Sequence, residues 1–210
     1  MKRADALKSI VHLFDEIPCC VTVGAAWVEW DSLRPSEKSF HLKTLGSGSS
    51  VGLGLALGMP HRKIGVLDGD GAVVMNVNGL LTTGRIQPKN LVHMVFDNKI
   101  YESSGSVPTA TAYSTDLVTI AQGAGIKSSQ RVKTVEAFRS AVENALKTDG
   151  PHFILAEVEP VGKTAPAAYG AGALRVDDVE GKYKFIRFIE TLEKRKIFED
   201  AIDVKQSFAK

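Results

Sequence analysis

The amino-acid sequence predicts an α/β fold, a three-layer sandwich in which a mostly parallel sheet carries helices on both faces. Three observations lead there. Four short apolar runs, residues 19–23, 64–67, 91–96 and 153–158, have the length and density of strands buried on both sides. Two of them end in polar clusters, Asp68-Gly69-Asp70-Gly71 and Asp97-Asn98. The segments between the runs have helical length, so strands and helices alternate.

The elements follow in order. Within residues 4–17, Leu7, Ile10, Val11, Phe14 and Ile17 recur at steps of three and four, the stripe of an amphipathic helix. The first strand, 19–23, stops at Gly24. Residues 39–45 contain His41 and Lys43 and make a poor buried strand, whereas the small residues of 49–59 suit a helix. The strand 64–67 runs into the Asp-Gly cluster and then a helix over 72–85. After the strand 91–96, residues 117–123 read as a helix, and Thr134 caps another over 135–146. The strand 153–158 precedes residues 162–181, a loop by their Gly, Ala and Pro content. A last helix spans 182–194, with Lys194-Arg195-Lys196 as its solvated end. No repeat divides the 210 residues, which fit one domain.

Composition narrows the function. With 44% hydrophobic and 24% charged residues the chain can build a packed core. Its 26 basic against 24 acidic residues, formal charge +2, provide no field for nucleic acid or an anionic membrane. The uncharged run 44–60 is too short and too rich in Gly and Ser to span a bilayer. Met1-Lys2-Arg3 leads into Asp5, Lys8, His12, Asp15 and Glu16, not into the apolar stretch of a signal peptide. Cys19 and Cys20 are adjacent, a spacing that fits neither a disulfide framework nor a zinc site and points to a reducing, cytoplasmic setting.

In open α/β sheets ligands bind beyond the carboxyl ends of the strands, where the two polar clusters fall. Asp70 and Asn98, 28 residues apart, suit one strand–helix–strand excursion that returns to the same edge. An acid and an amide converging there form an oxygen-rich site for Mg²⁺ and a phosphorylated ligand. The N–H groups that open the helix after Gly71, at Ala72, would face that phosphate. The plainer reading is that these residues cap turns and helices. Two rival readings stand beside it. Gly46-Ser47-Gly48 and Gly52-Leu53-Gly54 are similar to a dinucleotide-binding turn, which would make a regulatory nucleotide module; a clear strand before them and an acid about 20 residues on are missing. Asp68-Gly69-Asp70 resembles the paired aspartates of haloacid-dehalogenase phosphatases, with Asp68 as nucleophile; that family places its motif on the first strand and needs a second acidic pair, for which Asp177-Asp178 is the candidate.

Gly69-Asp70-Gly71, a helix containing Asn76, and then Asp97-Asn98 resemble the metal and diphosphate motif of the thiamine diphosphate enzymes. That motif is a GDG followed by an Asn pair, and Asp97 stands at the first Asn. Residues 45–57 resemble the segment before the motif in sulfopyruvate and phosphonopyruvate decarboxylases. The resemblance implies Mg²⁺ held by Asp70, the Asn98 side chain and the Ile100 carbonyl. It implies diphosphate contacts at Gly69, Gly71, Ala72 and Tyr101, with Glu102, Ser103 and Ser104 close to diphosphate or substrate. Leu45, followed by Gly46, becomes the apolar wedge under a bent cofactor, and the Lys43 carbonyl accepts from the aminopyrimidine; Lys43-Thr44 departs from the usual Gly-Ser. His41, close to the wedge, is a candidate proton donor, with a satisfied histidine as the alternative, while His93 belongs to the core.

The chemistry so implied is decarboxylation of a small 2-oxo acid, or a related carboligation, with the cofactor attacking the carbonyl and accepting the electrons left by CO₂. The family's activating Glu lies on a pyrimidine-binding domain that this chain has no room for. Glu29 and Glu102 fall outside any segment resembling it. The expectation is the diphosphate-binding subunit of a two-chain enzyme, a heterotetramer whose partner supplies that Glu.

Overall fold

In a computed structural model of the protein, residues 1–161 and 178–197 are described. Six parallel strands form one sheet in the order β2-β1-β3-β4-β8-β7: β1 (Cys19–Thr22), β2 (Ser39–Leu42), β3 (Ile64–Gly69), β4 (Leu91–Asp97), β7 (Ser128–Val132) and β8 (His152–Glu157). A separate antiparallel pair, β5 (Ile100–Tyr101) and β6 (Val107–Pro108), follows β4 directly.

Helices cover both faces, as the alternation of elements requires. On one face lie α1 (Arg3–Ile10), α2 (Ala25–Asp31) and α7 (Val135–Lys147). Their Leu7, Ile10, Trp27, Trp30, Phe138 and Val142 pack on Val21, Leu67, Met94 and Ile154 of the sheet. The other face holds α3 (Gly48–Gly58), α4 (Asp70–Met75), α5 (Asn78–Ile86), α6 (Leu117–Gly123) and the C-terminal α8 (Asp178–Glu193). There Ala56, Phe185 and Ile189 meet Ile64 and Val66, and Leu80 and Leu117 meet Val95 and Phe153. Each central strand thus sends alternate side chains into two cores, which is why its sequence is mostly apolar.

The structure revises several elements. The N-terminal helix ends at Ile10 and tightens into a 3-10 turn, Val11–Phe14. The segment around His41 is a strand after all, for Ser39–Leu42 forms β2 at the sheet edge, where half-burial tolerates a histidine. The helix over 72–85 is two helices, broken at Asn76, whose backbone leaves the helical region and whose Nδ2 donates to the Gly46 carbonyl at 2.9 Å. The last helix starts at Asp178, inside the expected loop 162–181; the rest of that loop, Asp177 included, lies outside the described residues. Lys194, Arg195 and Lys196 follow the helix end and are exposed.

Chain order fixes where a ligand can enter. From β1 the chain moves outward to β2, then crosses back over β1 to β3 and on to β4. Connections therefore diverge between β1 and β3, and a crevice opens beyond their carboxyl ends.

Candidate functional site

The crevice is a cleft lined by the turn after β1 (Val23, Gly24, Ala25), the β3–α4 turn (Gly69 to Ala72) and the segment after β4 (Asn98, Ile100, Tyr101), with Leu45 at one side. A methyl group added at Gly24 or Gly69 would meet nothing within 4 Å, so ligand atoms can approach these backbones. Gly71 is different, because an added Cβ there would sit 2.4 Å from the Tyr101 ring, whose hydroxyl donates to the Gly71 carbonyl at 3.4 Å.

Asp70 is the buried acid of the cleft, 2% exposed at the start of α4. Its Oδ2 accepts from the hydroxyls of Thr109 (2.6 Å) and Thr111 (3.0 Å). Thr111 also reaches Asp97 Oδ1 at 2.8 Å, so two acids share one pair of hydroxyls. Burial pushes the Asp70 carboxyl up to about 6; the Thr109 bond draws it back, the Asp97 charge adds to the rise, and Thr111 and the Gly71 N–H oppose it. Asn98 is buried, and its Oδ1 accepts from the Ile100 N–H at 3.0 Å. Ile100 and Pro108 face each other as a non-hydrogen-bonded pair, bracketed by the Thr109 N–H to Lys99 carbonyl bond, so the ladder does not engage the Ile100 carbonyl. Among the described residues no three His, Cys, Asp or Glu side chains cluster as a ready metal cage. A carboxylate, an amide oxygen and a peptide carbonyl fit instead a hard cation completed by ligand oxygens. This donor set, set in an open cleft, fits Mg²⁺ with a diphosphate.

Asp68 has another destination. It is 1% exposed, with its Oδ1 accepting from the Gly69 N–H and its Oδ2 3.3 Å from His93 Nε2, beneath the cleft and not among its lining residues. A nucleophile needs access to substrate, so Asp68 cannot serve as one, and the phosphatase reading fails here. The glycines of 46–48 likewise serve packing. Gly46 has φ +81 and its absent Cβ makes room for Asn76, while a Cβ on Gly48 would collide with Asp68 Oδ2 at 2.3 Å.

Other sequence candidates divide between the cleft and its surroundings. Leu45 is half-buried in the cleft wall, and Lys43 lies exposed two residues before it. Ser103 lines the cleft; Ser104 does not. His41 is not brought to the cleft: its Nε2 lies 3.0 Å from Asp31 Oδ1, and its ring stacks 4.5 Å from Trp27, whose Nε1 donates to the same carboxylate. Two features have no trace in the sequence reading. One is the threonine pair, joined to Asp70 across 39 and 41 residues. The other is Arg3, buried at the cleft, whose guanidinium bonds Glu29 at 2.9 Å and Glu102 at 3.4 Å.

An open parallel sheet with an oxygen-lined cleft at its switch point defines a class, the α/β domains that bind ligands beyond the carboxyl ends of their strands. Residues 19–156 match the family model of the thiamine pyrophosphate enzymes, C-terminal TPP binding domain, and the chain belongs to that family. It is 34% identical over 191 residues to sulfopyruvate decarboxylase subunit beta of Methanocaldococcus jannaschii, covering 90% of this chain and 97% of that one. The corresponding subunit of Methanococcus maripaludis is 34% identical over 168 residues, 79% of this chain and 89% of the relative. Phosphonopyruvate decarboxylase of Streptomyces viridochromogenes is 30% identical over 194 residues, 90% of this chain but 47% of that longer one. Among solved structures, benzoylformate decarboxylase from Polynucleobacter necessarius superposes with a TM-score of 0.62 at 19% identity over 75% of this chain and 33% of its own. The thiamine diphosphate-dependent 4-hydroxybenzoylformate decarboxylase of Rhodococcus jostii RHA1 gives 0.59 at 21%, over 76% and 32%. These two likenesses speak to the fold.

Proposed function

We propose that the chain is the diphosphate-binding subunit of a two-chain, Mg²⁺- and thiamine diphosphate-dependent decarboxylase acting on a small 2-oxo acid such as sulfopyruvate or phosphonopyruvate. One observation carries the reading: Asp70, Asn98, the Ile100 peptide and Leu45 meet in a single cleft at the switch point. When bound, thiamine diphosphate supplies a carbon nucleophile and an electron sink for the bond to CO₂. This chain's part is binding and placement. Asp70, the Asn98 side chain and the Ile100 carbonyl would hold Mg²⁺, while the Ala72 N–H, freed at the start of α4, would face the diphosphate. Gly69 and Tyr101 close in on the same group. Leu45 would give the cofactor apolar support, with Gly46 letting the chain turn there and the Lys43 carbonyl as the acceptor proposed for the aminopyrimidine.

The acid that activates the aminopyrimidine comes in this reading from a pyrimidine-binding partner subunit, seated over the open side of the cleft and shutting out water. Two copies of each chain about a two-fold axis make the assembly. Support comes from the relatives named as beta subunits, which this chain matches over nearly their whole length. The two cysteines are buried and unpaired, in keeping with a reducing cytoplasm, and among the described residues no helix is long and apolar enough to cross a membrane. Native mass spectrometry of the complex drawn from its own cell is the test. The reading expects the chain with a second, different subunit and a mass increment for thiamine diphosphate with Mg²⁺. A complex carrying neither the partner nor the cofactor contradicts it.

A further inference from the structure

We infer that Thr109 and Thr111 are positioning residues that fix the Asp70 carboxylate for its cation, an inference that rests on the reading of the cleft just given. A carboxylate rotates easily about its last torsion, so an Asp ligand is only as well aimed as its other bonds make it. Here both hydroxyls converge on one oxygen, Oδ2, and leave Oδ1 uncommitted to either threonine. Each hydroxyl has a single proton. The shortest contact assigns the Thr109 proton to Asp70 at 2.6 Å, and the Thr111 proton is shared between Asp70 at 3.0 Å and Asp97 at 2.8 Å.

The same residues tie the ligand set together. The Thr109 N–H donates to the Lys99 carbonyl at 2.9 Å, between the two other ligand positions, Asn98 and Ile100. Asn98 is in turn held by the Ile100 N–H. The β5–β6 pair therefore carries Thr109 and Thr111, 1% and 7% exposed, back onto Asp70 and makes one rigid unit of three positions that are distant in sequence. Thr111 also gives Asp97 a donor at 2.8 Å, beside the Lys99 N–H at 3.1 Å.

The test separates hydroxyl from shape. Thr109→Val keeps the shape and loses the donor; Thr109→Ser keeps the donor and loses a methyl group. Mn²⁺ is titrated, with thiamine diphosphate present, into the full chain in its native complex, and bound Mn²⁺ is read by electron paramagnetic resonance. The expected result is about a tenfold or greater weakening of Mn²⁺ binding in Thr109→Val, in the range of lost outer-shell partners, with Thr109→Ser close to wild type. Equal affinity in wild type and Thr109→Val overturns the inference, as does the reverse pattern, Val retaining and Ser losing affinity, which marks a packing role. If Thr109→Val does not fold, Thr111→Val takes its place, and an unchanged affinity there counts against the inference equally. A wild-type complex that binds no Mn²⁺ with thiamine diphosphate fails one level higher, at the reading of the cleft itself, and the inference falls with it.

Discussion

Asp68 and Asp70 stand two residues apart on one strand-to-helix turn and do opposite work. Asp70 opens into the cleft under two threonine hydroxyls, while Asp68 turns beneath the sheet's end to His93 and the Gly69 N–H. Asp70→Ala is expected to abolish Mg²⁺-dependent binding of thiamine diphosphate, measured by calorimetry on the complex. Asp68→Ala should leave that binding in place but strand a buried histidine, costing about 1–3 kcal/mol in denaturant unfolding. Leu45→Ala, removing apolar support but not the anchor, should lower turnover more than cofactor affinity, and comparing the two constants checks it. Acid sensitivity is read elsewhere. His152 starts β8 buried, and burial holds its pKa below the usual histidine value. Its unfolded form therefore takes up a proton first, and stability falls as the pH drops through the unfolded value. His152→Gln should flatten the loss of urea midpoint between pH 7 and pH 5. Asp70, Asn98 and Leu45 were legible in the sequence, because each belongs to a local motif. Thr109 and Thr111 were not, since their meaning arises only when the chain folds 39 and 41 residues back onto Asp70.

The same locality governs the elements. The central strands β1, β3, β4 and β8 declare themselves because both faces are buried, which makes their runs mostly apolar. The edge strands β2 and β7 carry His41, Gln130 and Arg131 on half-solvated faces and blend into the loops around them. Helix α2 hides for another reason: it has only 7 residues, and its burial rests on Trp27 and Trp30. The pair β5–β6, two residues a side, has no periodicity to read, yet it is the element that completes the cleft. Where a local signal exists it survives, as at α7, whose Thr134 cap accepts from the Ala137 N–H at 3.2 Å. Thr134→Ala is expected to cost about 1 kcal/mol in chemical unfolding with no change in cofactor binding, since α7 lies away from the cleft.

At the scale of the whole molecule, the strand order places a switch point between β1 and β3, and Asp70, Asn98, Ile100 and Leu45 line the cleft beside it. In the function proposed, the chain supplies one wall of a site. A cofactor held by its diphosphate in an open cleft would leave its reactive end in water, so the account requires a second protein surface bearing the activating acid. The measurement that tests this most directly is CO₂ release from a small 2-oxo acid, with Mg²⁺ and thiamine diphosphate present, by the purified chain alone and then with the subunit that co-purifies with it. The account predicts no turnover from the chain alone and turnover in the pair, lost again when the partner's activating Glu is changed to Gln while the complex persists. Decarboxylation by the isolated chain at enzymatic rates would contradict it.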